Sequence, residues 1–300
     1  MTYINNNKII SLGGIKRAYL NNTLIFQSFK KNEEVVSPYD ITAKFNVTST
    51  TSPTKLCYSS ATTSFTEMYV DGVQIDVASG YTFSTTGEHT VQYMLADKTK
   101  IVNYSFSGCT SLTSVYIEDS VQEIGIESFH SCKSLTEIII PDRVTNIGQY
   151  SFSGCICLTE ILIPDSVRFI TNGCFYKCSG LTSVTIGSGV TSIGLVAFKG
   201  CTNLKSVTIP DSVTGIDSSF NTCSGLTSVT IGSGITSIGD YAFDGCIRLT
   251  EITCLATTAP TLERDVFVNL PTQGTLYIPQ GSDYSTWKSI LTSWTIQYLT

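Results

Sequence analysis

The chain has 300 residues, 42% of them hydrophobic and only 14% charged, with a formal net charge of −6 and a pI near 4.9. The apolar and aromatic content is enough for a packed core, which excludes a disordered chain. No apolar run approaches the roughly 18 residues of a membrane-spanning helix, and the acidic balance lacks the Lys/Arg surplus on which nucleic-acid affinity rests. The length allows about two domains of ordinary size. The opening residues MTYINNNKIISLGG contain neither a basic segment followed by an apolar one nor a small-residue cleavage site, so no secretory signal is expected.

Residues 1–30 read as a compact β-hairpin. Ile15–Leu20 and Leu24–Phe26 are strand-like and Asn21-Asn22 supplies the turn. A piece this short holds little core and needs a partner or a second copy of itself. Its segment Gly14–Gln27 resembles short N-terminal modules of phage and prophage tail or baseplate proteins, which implies an anchor in an assembly. Residues 31–37 form a linker, charged at its start.

Residues 38–100 carry short alternating runs: Ile41–Val47, Lys55–Tyr58, Phe65–Val70, Tyr81–Phe83 and Val91–Leu95. Asp71-Gly72 is a strong hairpin signal, and Thr86-Gly87 marks a second turn. The pattern predicts a small all-β domain of immunoglobulin-like sandwich type. It leads directly into the repeats, and the two cores would be continuous or closely docked.

From residue 101 to about 279 one unit repeats. Phe recurs at 106, 129, 152, 175, 198, 220 and 243, with Cys three residues after each and Leu three later again. The period is 23, contracting once to 22 between Phe198 and Phe220. In the unit Ile147-Gly148-x-x-x-Phe152-x-x-Cys155-x-x-Leu158-x-x-Ile161-x-Ile163-Pro164-Asp165-x-Val167, the Ile161-x-Ile163 alternation predicts a short strand with both isoleucines facing in. A Pro-Asp or Gly-Ser-Gly turn comes next, then an extended return, and the Phe-x-x-Cys segment is expected to form a helical turn. One unit cannot bury its apolar positions alone, whereas stacked units share a continuous core. Leu262, Phe267, Leu270, Leu276 and Ile278 fit a degenerate eighth unit that departs at Gln273. Residues 280–300 read as a C-terminal cap, with Ser282-Asp283 as helix N-cap and Tyr284, Trp287 and Leu291 on one face.

The Leu-x-x-Val/Ile-x-Ile motif at this period resembles the BspA-like leucine-rich repeat family over residues 101–279. The resemblance implies a right-handed solenoid with a parallel sheet along one face. The expected fold is therefore mostly β, a leucine-rich-repeat solenoid with short helical turns, preceded by the immunoglobulin-like domain and the hairpin. It also implies a non-enzymatic role in adhesion or recognition.

Candidate chemistry is sparse. Stacked strands lie about 4.8 Å apart, too far for the converging Cβ atoms of a disulfide, so the cysteine ladder reads as buried thiols. No metal site is expected, because Cys155/Cys157 and Cys174/Cys178 lack a second ligand pair and the chain has only His89 and His130. Both histidines read as surface residues. Asp142, Asp165 and Asp211 recur at one turn position, which turn chemistry explains. No cofactor and no enzymatic activity are expected.

The outward strand positions are more informative. Later units present Ser and Thr, whereas the first three present a column of Tyr116, Ile139 and Leu162 beside Glu137 and Glu160. Either this column contacts an external ligand, or the preceding β domain folds over it. The five residues are the candidate binding site, for a host surface protein or a glycan. The expected function is a recognition protein displayed on a phage or prophage tail-type structure, assembling through residues 1–30. The alternative is a bacterial cell-surface adhesin. Neither nucleic acid nor membrane insertion is expected. Localisation is virion-associated if the chain is phage-encoded, and otherwise at the cell surface or outside by a non-classical route.

Overall fold

A computed structural model of the chain describes residues 39–299, together with the backbone of four strands near the N-terminus. These are β1 (Thr2–Ile4), β2 (Asn7–Leu12), β3 (Ile15–Leu20) and β4 (Thr23–Phe29). They pair antiparallel in sequence order. The N-terminal region is thus a four-stranded meander rather than a single hairpin. The expected linker 31–37 lies outside the described residues. Tyr39–Thr300 forms one compact unit and Met1–Pro38 another.

Within the larger unit, β5 (Ile41–Val47), β6 (Thr54–Lys55), β7 (Phe65–Val70), β8 (Val73–Ile75), β9 (Gly80–Tyr81) and β10 (Gly87–Leu95) succeed one another. In β5 the alternation seen in the sequence becomes burial: Ile41, Ala43, Phe45 and Val47 face the core. β7 and β8 are joined at Asp71 and Gly72, both at positive φ (50° and 80°), the conformation a two-residue I′ turn requires. The expected immunoglobulin-like sandwich is not what these strands build. They form one antiparallel sheet, ordered β5-β10-β7-β8, with β6 and β9 paired separately. That sheet continues edge to edge into the repeats. The Leu112–Ile117 strand pairs antiparallel with β5, Tyr116 opposite Thr42 and Ile117 opposite Ile41. One hydrophobic core therefore runs from Ile41 to Trp294, and residues 38–100 are not a separate domain.

The repeats form the solenoid that the period predicts. A back sheet of eight parallel two-residue strands runs from Lys100–Ile101 to Thr261–Leu262 in sequence order. The front face carries the longer strands, among them Glu160–Ile163, Ser183–Ile186, Ser206–Ile209, Ser228–Ile231 and Glu251–Cys254. Each pairs in register with its equivalent where they are hydrogen-bonded, for example Leu162 with Thr185 and Thr208 with Thr230. The single contraction leaves both sheets in register, Ser206 opposite Ser228 and Ile216 opposite Ile238.

The Phe-x-x-Cys segment is not helical. Each coil holds two residues at positive φ flanking its phenylalanine, such as Tyr150 and Gly154 around Phe152, or Glu127 and Ser131 around Phe129. Left-handed residues break a helix and turn alternate N–H groups along the rod axis. Tyr150, Phe152 and Gly154 accordingly donate to the carbonyls of Asn172, Cys174 and Tyr176 on the next coil. Inside this arc the phenylalanines stack face to face: Phe152–Phe175 and Phe175–Phe198 have centroids 5.3 and 5.2 Å apart at 4° and 7°. From Cys132 to Cys246 the ladder thiols donate to the phenylalanine carbonyl of the preceding coil, as Cys155 Sγ does to Phe129 O at 3.1 Å and Cys178 Sγ to Phe152 O at 3.0 Å. The same carbonyl accepts its own coil's cysteine N–H, as in Cys155 N to Phe152 O at 3.2 Å. Cysteine thus satisfies the second lone pair of a buried carbonyl while filling an apolar site.

Aromatic side chains set edge-on close the ladder at both ends. Tyr93 meets Phe106 at 82°, and Trp287 meets Phe267 at 61°. Trp287 lies on the short helix α1 (Ser285–Ile290) and donates through Nε1 to Pro260 O at 2.9 Å. Tyr284 occupies the N-cap position, and Asp283 one residue earlier accepts the Ser285 N–H at 2.9 Å. The terminal Thr295–Leu299 strand pairs parallel with Thr275–Pro279, extending the front face beyond the expected units.

Candidate functional site

The sheet of residues 39–101 does not fold over the Tyr116 column. It continues the front face sideways. In the row containing Tyr116, pairing places Thr42 beside it, then Gln92, Tyr69 and Gln74. On the other side the repeat positions are Ile139, Leu162, Thr185, Thr208, Thr230 and Thr253. Tyr116 is 40% exposed and Leu162 48%, and Ile139 is half-buried. These three form a short apolar and aromatic stripe in a row otherwise made of Thr, Gln and Tyr.

Glu137 and Glu160 lie in the adjacent outward row, Glu137 opposite Ser114 and Glu160 opposite Ser183. Partial burial raises the Glu160 carboxyl above the usual glutamate range. At the other flank Glu118 is raised as well, first by burial and then by the charges of Asp119 and Asp40. Burial also raises the Tyr116 phenol, with Glu118 and Asp119 adding to it. The five residues chosen from the sequence therefore lie on one face, and Glu118 and Asp119 join them. The signal for those two was available in the sequence, since they occupy the turn immediately after the Tyr116 strand.

The cysteines are poor candidates for chemistry. Of the eleven, ten are buried and Cys157 alone is exposed. Burial holds the Cys155, Cys178 and Cys201 thiols well above the ordinary value, so the nucleophilic thiolate is suppressed. Among the described residues, no group of three or more His, Cys, Asp or Glu is placed to hold a metal ion.

The histidines are not the plain surface residues expected. His130 is half-buried, and its Nδ1 is buried without a hydrogen-bond partner. His89 packs its ring against Phe83 at 4.4 Å, with Nδ1 2.7 Å from Asp71 Oδ2 and Nε2 3.0 Å from the Thr85 carbonyl. The Thr85 hydroxyl lies 3.2 Å from the same Nε2, an Asp-His-Thr sequence of contacts that superficially resembles a hydrolytic triad. The same Nε2, however, lies closer to the Thr85 carbonyl oxygen than to that hydroxyl. The cluster ties the Asp71 turn to the β10 strand and to the loop before it.

Comparison with known proteins fits this architecture. The sequence profile of the BspA-type leucine-rich repeat region matches six copies, over residues 99–220 and 216–289. A leucine-rich repeat protein from Bacteroides ovatus is similar at 22% identity over 69% of this chain and 53% of its own, with a TM-score of 0.51. The chain thus spans about half the length of that protein. The leucine-rich repeat protein of T. pallidum matches at 27% identity over 64% of this chain and 89% of its own, with a TM-score of 0.49. A leucine-rich cell surface protein from Faecalibacterium prausnitzii matches at 22% identity over 69% and 84%, with a TM-score of 0.31. Comparison with curated proteins gives no match. Among the described residues no helix is long and apolar enough to cross a membrane.

Proposed function

The chain belongs to the BspA-type leucine-rich repeat family, and from that premise we propose that it is a non-enzymatic recognition protein whose front face contacts a host surface protein or glycan. One observation carries this reading: the stripe of exposed Tyr116 and Leu162 with half-buried Ile139 between them, flanked by Glu137 and Glu160, in a row otherwise made of Thr, Gln and Tyr. Large apolar side chains grouped on a solvated sheet mark an interaction surface. The experiment is an array of glycans and surface proteins probed with the full chain and with the Tyr116→Ala/Leu162→Ala double variant. The variant should lose the contacts while its melting curve stays unchanged. Equal binding by both proteins would reject the face, and a fall of many degrees in melting temperature would assign these side chains to the core.

The proposed setting is a phage or prophage tail-type structure, with residues 1–30 as the assembling element. What supports it is the resemblance of Gly14–Gln27 to such modules. Display on a bacterial cell surface is the second reading. Size-exclusion chromatography with light scattering on the full chain and on residues 31–300 separates the two. An anchored chain should self-associate only when residues 1–30 are present, and identical masses would count against the anchor.

A further inference from the structure

Three features of the front face jointly specify a ligand shape, and this inference rests on the recognition reading above. The first is length. The stripe covers three successive coils, and the row turns polar on both sides, at Thr42 and at Thr185. With coils about 4.8 Å apart, the outer two side chains are separated by about 10 Å along the rod. Residues i and i+7 of an α-helix lie about 10.5 Å apart, with an i+3 or i+4 residue midway on the same side. An extended strand presents same-side residues every 6.6–6.8 Å or so, and would drift out of step with the stripe by its third contact. The spacing therefore suits two turns of helix laid along the rod axis, across the strands.

The second feature is charge. One flank of the stripe carries Glu137 and Glu160. The turns along its other flank carry Glu118, Asp119, Asp142 and Asp165. The basic residues nearby are Lys44, ion-paired to Glu88 at 2.8 Å, Lys98, 3.7 Å from the Asp40 carboxylate, Arg143 in the turn that holds Asp142, and Arg168, whose guanidinium donates to the Gly189 carbonyl, and they are outnumbered by the acids. The third feature is the raised carboxyls, Glu160 by partial burial alone and Glu118 by burial and then by the charges of Asp119 and Asp40. A cation brought to the Glu118 flank offsets the repulsion there, and one beside Glu160 offsets its partial desolvation.

We propose that the stripe seats a basic amphipathic helix of a partner protein. Its apolar residues at i, i+3 or i+4, and i+7 rest on Tyr116, Ile139 and Leu162, and Lys or Arg on both sides meet the acidic flanks.

The test uses the full chain and a fluorescein-labelled, hydrocarbon-stapled helical peptide with leucines at i, i+4 and i+7 and lysines beside them. One control peptide replaces the lysines with glutamates. The other keeps the composition and scatters the leucines. Fluorescence anisotropy at low salt should show the lysine peptide binding about tenfold or more tighter than either control. Tyr116→Ala/Leu162→Ala should weaken it by about tenfold, the scale of an interface anchor. Glu137→Gln/Glu160→Gln should weaken it about three- to fivefold, as rim charges do, and should flatten its salt dependence. Equal binding of the scattered-leucine peptide, or no effect of the double alanine variant, overturns the proposal. If the lysine peptide fails while the array contacts are still lost in the alanine variant, the helix proposal falls and the recognition face stands. If the array contacts survive the alanine variant as well, both fall.

Discussion

Replacing Phe175 with alanine tests the claim on which the fold rests, that the coils share one close-packed interior. Phe175 is fully buried and lies between Phe152 and Phe198 at 5.3 and 5.2 Å. A buried Phe→Ala change costs about 3–5 kcal/mol in transfer and cavity terms, and within that sum two aromatic contacts of about 0.5–1.5 kcal/mol each disappear. Phe175→Leu keeps most of the apolar volume, so its cost should be nearer 1–2 kcal/mol. For a unit of this size each kcal/mol corresponds to about 2–4 °C, which places the alanine variant roughly 6–20 °C below the parent. Because a coil touches only its neighbours, a weak link at the centre should also uncouple the two ends. Urea unfolding monitored by circular dichroism reads both effects. The alanine variant should show an earlier, broader or split transition, and the leucine variant a single transition shifted less. A loss below about 1 kcal/mol, with cooperativity intact, would refute the reasoning, because a ring removed from a shared interior cannot be that cheap.

Individual contacts make further outcomes testable. Native protein treated with a thiol reagent should give one fast equivalent, from Cys157, with the remaining thiols reacting only on unfolding; Cys157→Ser should abolish the fast phase. Gly189→Ala should destabilise by about 2–3 kcal/mol or more, because its Cβ would fall 1.8 Å from the Asp165 carbonyl oxygen of the preceding coil. Gly72→Ala, at φ +80° with open space around it, should cost only about 1 kcal/mol of backbone strain. Glu118 has a folded-state pKa above its unfolded one, so it holds its proton longer when folded and lowers stability as pH rises through that range. Glu118→Gln should therefore melt higher than the parent at pH 7, and the gain should vanish below about pH 4, where the unfolded glutamate is protonated too.

Much of this was legible in the sequence, for a physical reason. A repeat of 23 residues imposes the same burial on every unit, so Phe152, Cys155, Leu158, Ile161 and Ile163 announce the core by recurrence. The non-helical arc was only half legible. The left-handed position before each phenylalanine is held by Tyr104, Glu127, Tyr150 and Val196 as readily as by Gly173 and carries no turn signal, whereas the one after it is glycine at 108, 154, 200 and 245 and could have been read as a turn. At the first position the inter-coil hydrogen bonds impose the conformation and override local preference. The pairing of β5 with the Leu112–Ile117 strand was hidden for a similar reason. It joins segments about seventy residues apart, and alternation within each strand says nothing about its neighbour. The same pairing decided the candidate site. The Tyr116 column could be picked out from the sequence, but whether it was covered depended on which edge β5 chose. His89 was misjudged because the Asp71 carboxylate that holds it comes from another turn.

The coil one residue short has a wider consequence. Phe198 and Phe220 remain stacked at 5.3 Å and 2°, so the arc absorbs a deletion without disturbing either wall. A scaffold with such slack at one seam, and strict rules elsewhere, lends itself to shuffling at the gene level. Unequal recombination between near-identical units can lengthen or shorten the array, and can transplant an outward-facing pair of side chains from one rung to another, without asking the interior to be reinvented. Diversity in what the surface displays is thereby separated from the conditions for folding.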